Sequence, residues 1–168
     1  MNLSTLNQLP KPAFIHTLGT IFEHSPWVAE GAYAHKPFGS VESLHAAMVA
    51  VVDQAGTGPQ LALIRAHPDL AGKAALAGEL TAESTSEQKG AGLDRLSPDE
   101  FANFHRLNDA YQAKFGFPFI IAVRGHDRHS ILAAFETRLL NDAESERAEA
   151  LRQIARIAGF RLAELLKD

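Results

Sequence analysis

The 168-residue chain contains no cysteine. That removes disulfides, thiolate nucleophiles and thiolate metal sites together. No apolar run reaches the length of a membrane span, so no transmembrane helix is expected. A charge run of one sign is also missing. The 16 basic and 20 acidic residues are interspersed and leave a net charge of -4, which makes nucleic acid and anionic membrane poor partners. The first residues, Met1 to Asn7, show no basic region followed by an apolar stretch, and the last three, Leu166-Lys167-Asp168, are not a peroxisomal tripeptide. A soluble cytoplasmic protein is the expectation. There is no Gly-rich phosphate loop, Rossmann fingerprint or nucleophile elbow. His126 and His129 lack an adjacent carboxylate to complete a ligand set, and Glu23-His24 and His45 stand isolated, so no metal is expected.

What is present is a 46% hydrophobic chain punctuated by short Gly/Pro turns. No segment alternates with period two over a useful length, so the expected fold is all-α. It is read as a single compact bundle of about eight to nine helices, with residues 1–168 as one domain. Helices are expected over Pro12 to Phe22, from Ser25-Pro26 with Trp27 inside, from Ser40 to Gly56, and from Gly58-Pro59 toward His67. A helix capped by Asp69 is expected from Leu70 to about Leu80. Ser84 and Glu87 have capping-box spacing and predict a short helix ending near Gly92. Ser97-Pro98-Asp99-Glu100 is the clearest helix start, with Gly116 as its stop. Asp127 predicts a helix through Leu140, and a last helix runs from about Ala143 to Leu166.

Four places could carry chemistry. Pro68 disfavours helical geometry for the residue before it, so His67 ends a helix in an extended conformation beside apolar surface. An imidazole can give and take a proton near neutral pH. The blander alternative is a helix-terminating histidine with a structural hydrogen bond. The turn Ser84-Thr85-Ser86-Glu87-Gln88 is either only a cap or a helix start that presents N–H groups to a small ligand rich in N–H, C=O and O⁻ groups. Arg161 falls inside the apolar face of the last helix, among Ile154, Ile157, Ala158, Leu162 and Leu165. It is either a structural ion-pair or snorkelling residue, or a bidentate carboxylate ligand. Asn108, within an aromatic stripe, reads as a core amide bonded to backbone. The apolar run Phe117 to Val123 reads as core; if irregular, its N–H groups could face a ligand carbonyl. Lys114 reads as exposed and not as a Schiff-base lysine.

Three motifs together resemble one family. His67-Pro68-Asp69-Leu70-Ala71-Gly72, Ser84 to Leu93 (STSEQKGAGL) and Tyr111 to Gly125 (YQAKFGFPFIIAVRG) are similar to the motifs of 2-oxo-4-hydroxy-4-carboxy-5-ureidoimidazoline (OHCU) decarboxylases. The resemblance spans nearly the whole chain and includes Phe22 to Trp27. It implies an all-α homodimer that needs no cofactor and yields (S)-allantoin and CO₂ in urate degradation. It places a catalytic histidine on His67 and a catalytic carboxylate on Glu87. Substrate contacts are implied at Pro68, at Ser84, Thr85, Ser86, Glu87 and Gln88, at Phe119, Ile120, Ile121, Ala122 and Val123, and at Arg161. Two other functions fit the same polar groups: a cofactor-free hydrolase or isomerase acting on a ureido compound, and a non-catalytic binder of a purine-derived ligand.

Overall fold

A computed structural model describes every residue except 73, 74, 76 and 168. Among the described residues there are nine helices and no strand: α1 (Leu3–Gln8), α2 (Lys11–Leu18), α3 (Pro26–Tyr33), α4 (Val41–Gln54), α5 (Thr57–Ala66), α6 (Ala82–Gly90), α7 (Pro98–Phe115), α8 (Arg128–Arg138) and α9 (Ala143–Leu165). The all-α expectation holds. The helix expected from Leu70 to about Leu80 falls partly on residues 73, 74 and 76 and so lies outside the described residues; Leu70 and Ala71 themselves form a turn.

Helix starts follow their capping chemistry. The Ser40, Ser97 and Asp127 side chains each accept the N–H three residues on, and each cap's own N–H donates in return to the side chain of Ser43, Glu100 or Ser130. Three expectations need correction. α1 was not expected; the Asn2 side chain caps it by accepting the Thr5 N–H. α2 stops at Leu18 and not at Phe22, because residues 19–22 turn away. α6 is capped by Thr81 and not by Ser84, whose own N–H donates to Thr81 Oγ1 at 3.2 Å.

The chain packs as two units, residues 1–66 with 154–168, and residues 67–153. In the first unit Leu6, Phe14, Leu18, Val28, Leu44, Met48, Leu63 and Leu162 are fully buried or nearly so. Each such side chain contributes roughly 1.5–3 kcal/mol through removal from water. Phe14 meets the Tyr33 ring edge-on at 5.3 Å. At Gly31 a Cβ would come within 2.8 Å of Val51, so glycine is what allows α3 to approach α4 there. His45 is not isolated: its ring nitrogen bonds the Ala155 carbonyl at 2.7 Å, tying α4 to the end of α9.

The core of the second unit is aromatic. Phe104, Tyr111, Phe119 and Phe135 are buried, and the Phe119 and Phe135 rings stack with centroids 3.7 Å apart. Residues 118–123 cross this core as an irregular segment, neither helix nor strand.

Candidate functional site

α5 ends at Ala66, and His67-Pro68-Asp69 leave it without helical structure, as the proline requires. His67 is only 8% exposed. The turn that follows is strained and held. Ala71 has φ +52°, a left-handed geometry that costs a residue with a Cβ roughly 1–2 kcal/mol. Its N–H donates to Gln88 Oε1 at 2.9 Å, and Gln88 Nε2 donates to the Asp69 carbonyl at 3.3 Å. Asn108 Nδ2 donates to the Leu70 carbonyl at 2.8 Å. Two buried amide side chains, one from α6 and one from α7, therefore grip three consecutive residues just after His67-Pro68. At Gly72 a Cβ would lie 2.7 Å from that of Asp69, so only glycine lets the turn close this tightly. Asn108 is the backbone-bonded core amide expected of it. Its Oδ1 is buried and has no hydrogen-bond partner among the described residues.

Moving the start of α6 to Thr81 changes what the 84–88 stretch presents. These residues run along a helix and do not form its open end. Ser84 and Gln88, four apart, are buried, Glu87 beside them is half-buried, and Thr85 and Ser86 are exposed. Both ends of the Gln88 amide are occupied by the 69–71 turn, so its observed work is to hold that turn. Asp69 is half-buried. Burial first, and the nearby Asp109 carboxylate second, push its carboxyl above the usual range, while His105 pulls the other way.

The 119–123 segment is buried throughout. It carries two side-chain anchors that sequence reasoning missed. Arg138, in the last turn of α8, donates from Nη1 to the Ile120 carbonyl, and its guanidinium carbon lies 4.4 Å from the centre of the Phe119 ring. Its Nε donates to Glu146 Oε1 at 2.8 Å. Glu146 is fully buried and also accepts from the Tyr111 hydroxyl at 2.6 Å and from Asn141 at 3.0 Å. Burial first, then Glu146, hold the Tyr111 phenol far above its ordinary pKa. The Ala122 N–H donates to Gln153 Oε1 at 3.0 Å, and Gln153 donates in turn to Glu149 at 2.8 Å. The signal for these residues was legible. Arg138 continues the buried Ile131–Phe135 stripe of α8, and Glu146 heads the four-residue ladder Ala150, Ile154, Ala158, Leu162 of α9.

Arg161 belongs to the first unit, where its place in the buried face of α9 is as expected. Its Nη2 lies 2.9 Å from Glu23 Oε2, and Nη1 donates to the Thr20 carbonyl at 3.1 Å. Glu23, read from the sequence as isolated, is its buried partner. Lys114 is exposed as expected.

Known proteins of the same kind give this arrangement a context. A model of the OHCU decarboxylase family matches residues 7–163. A 2-oxo-4-hydroxy-4-carboxy-5-ureidoimidazoline decarboxylase from Halalkalicoccus jeotgali is 42% identical over 165 residues, covering 98% of this chain and 92% of that protein. A uric acid degradation bifunctional protein from Bacillus sp. (strain TB-90) is 42% identical over 168 residues, covering 100% of this chain and 33% of that protein. The crystal structure of an (S)-allantoin synthase superposes with a TM-score of 0.80 at 32% identity, covering 99% of this chain and 54% of that one. A family match over nearly the whole sequence, a relative matched almost end to end, and the same helical fold lead to one conclusion: the chain belongs to the OHCU decarboxylase family.

Proposed function

We propose that this chain decarboxylates 2-oxo-4-hydroxy-4-carboxy-5-ureidoimidazoline to (S)-allantoin in urate degradation, with His67 as the group that handles the proton. The observation that carries the reading is the held turn. The family's motif histidine stands at a proline-broken helix end, and side chains from two further helices clamp the backbone immediately after it. That is the construction expected where one imidazole must keep a fixed position.

The substrate carries its carboxylate on a ring carbon beside electron-withdrawing carbonyl and imine groups. The bond between that carbon and the carboxylate breaks, CO₂ leaves, and the electron pair moves into the ring. The ring is its own electron sink, so the reaction is read as cofactor-independent. His67 exchanges a proton with the substrate and delivers one to a single face of the product carbon. Glu87 holds the imidazole or a ring N–H, while Pro68 fixes the backbone beside the ring. Ser84, Thr85, Ser86 and Gln88 complete the polar side of the site, and residues 119–123 offer backbone groups to developing negative charge. Arg161 enters this reading as a ligand of the substrate carboxylate, on the family resemblance alone. A homodimer, a cytoplasmic location and a single domain over residues 1–168 belong to the same reading.

The test is the appearance of (S)-allantoin from freshly generated substrate, followed by circular dichroism. A positioned acid/base contributes roughly 10²–10⁴-fold, so His67→Ala is expected to lose that much turnover with its helical signal unchanged. A His67→Ala protein with near wild-type rate and the same product handedness would sink the assignment.

A further inference from the structure

The 119–123 segment poses a physical problem. It has no helix or strand ladder to hold it, yet the proposed chemistry needs its peptide groups in fixed directions. Packing of apolar side chains is non-directional and does not set the rotation of a peptide plane. Directional bonds do. Two are present, one on each side of Ile121: Arg138 donates to the Ile120 carbonyl, and Gln153 accepts from the Ala122 N–H.

Both anchors are themselves oriented. The Arg138 guanidinium is fixed at Nε by Glu146, whose two oxygens are further bound by Tyr111 and Asn141, and the Phe119 ring lies under its face. The Gln153 amide has its NH₂ end on Glu149, which leaves its oxygen for Ala122. In a planar trans peptide the C=O and the N–H point in opposite directions; the Ile120 C=O shares its plane with the Ile121 N–H, and the Ala122 N–H shares its plane with the Ile121 C=O. Tying down the Ile120 C=O and the Ala122 N–H therefore aims the Ile121 N–H and C=O each away from its anchor.

We propose that Arg138 is a positioning residue of the decarboxylase. Locked by Glu146 and seconded by Gln153, it sets the direction in which the 119–123 backbone meets the substrate. The proposal rests on the reading that this segment contacts the substrate. It explains a buried arginine–glutamate pair that the reaction itself does not use. The fork geometry of arginine matters here. A lysine at 138 can stay beside Glu146 but cannot bond Glu146 and the Ile120 carbonyl at once in the same rigid arrangement.

The experiment uses the full chain labelled with ¹⁵N and titrated with (S)-allantoin, alongside steady-state kinetics, for wild type, Arg138→Lys and Gln153→Leu. In wild type the amide signals of Phe119 to Val123 are expected to shift with ligand. In Arg138→Lys, with helical content retained, those shifts shrink and kcat/KM falls about 10- to 100-fold, the scale of a displacement near 1 Å. Gln153→Leu falls in the same direction by less. A purely structural role predicts folded variants with wild-type shifts and wild-type kcat/KM, and that result overturns the proposal. If wild-type amides of the segment stay still on adding allantoin, the underlying reading fails and the proposal with it. If they move equally in all three proteins, only the proposal fails. Should Arg138→Lys not fold, Gln153→Leu decides alone.

Discussion

Glu23 is 1% exposed, and Arg161 Nη2 stands 2.9 Å from its carboxylate. The arginine also takes up the Thr20 carbonyl, in the turn that follows α2. Removing one member of a buried pair strands the other, at about 3–5 kcal/mol. Arg161→Ala is therefore expected to lose that much stability in chemical denaturation, and adding Glu23→Gln should recover part of it. The proposed contact with substrate is read separately, as a raised KM that persists in the double variant. An unchanged KM there leaves the arginine a structural role only. At this scale the sequence was legible in part. Spacing put Arg161 and Asn108 on inward faces, and both are inward. It did not name their partners, because Glu23 lies 138 positions before Arg161 and Leu70 lies 38 before Asn108, and helical periodicity carries no information across such distances.

Helix boundaries show why some elements could be read and others not. Ser97-Pro98-Asp99-Glu100 combines a side-chain cap, a proline at the first position and acids near the positive end of the dipole, all pointing to one start, and α7 begins there. Ser97→Ala is expected to cost about 1 kcal/mol, since it removes the acceptor for the Glu100 N–H. Thermal unfolding should read this as a Tm lower by roughly 2–4 °C. The start of α6 was placed three residues late, because Ser84 and Glu87 have capping-box spacing whereas Thr81 has only Ser84 three residues on. Burial shows why the earlier start wins. Only with Thr81 as the cap do Ser84 and Gln88 fall on the buried side, with Gln88 in reach of the 69–71 turn. That long-range demand is invisible in a local window. α1 went unread for a simpler reason: six residues give too little periodicity to register. The irregular 118–123 segment was equally unreadable by period, since its conformation is set by Arg138 and Gln153 from two other helices.

Across the molecule, motif order was the strongest signal. The stretches at His67, Ser84 and Tyr111 pointed to the OHCU decarboxylase family, and the family match over residues 7–163 agrees. The division into two units was not legible, because the first unit is assembled from both ends of the chain. α9 supplies residues to each, through 153 to one and from 154 to the other, as one unbroken helix. A continuous helix shared in this way disfavours melting one unit while the other stays folded. The chain's one tryptophan turns that into a measurement. Trp27 sits in α3, so its emission reports the first unit alone, whereas far-ultraviolet dichroism sums all the helices. In a urea titration the two curves are expected to share a midpoint, and separated midpoints would refute a single cooperative transition. A single indole thus serves as a built-in optical probe, and no dye has to be attached to read it.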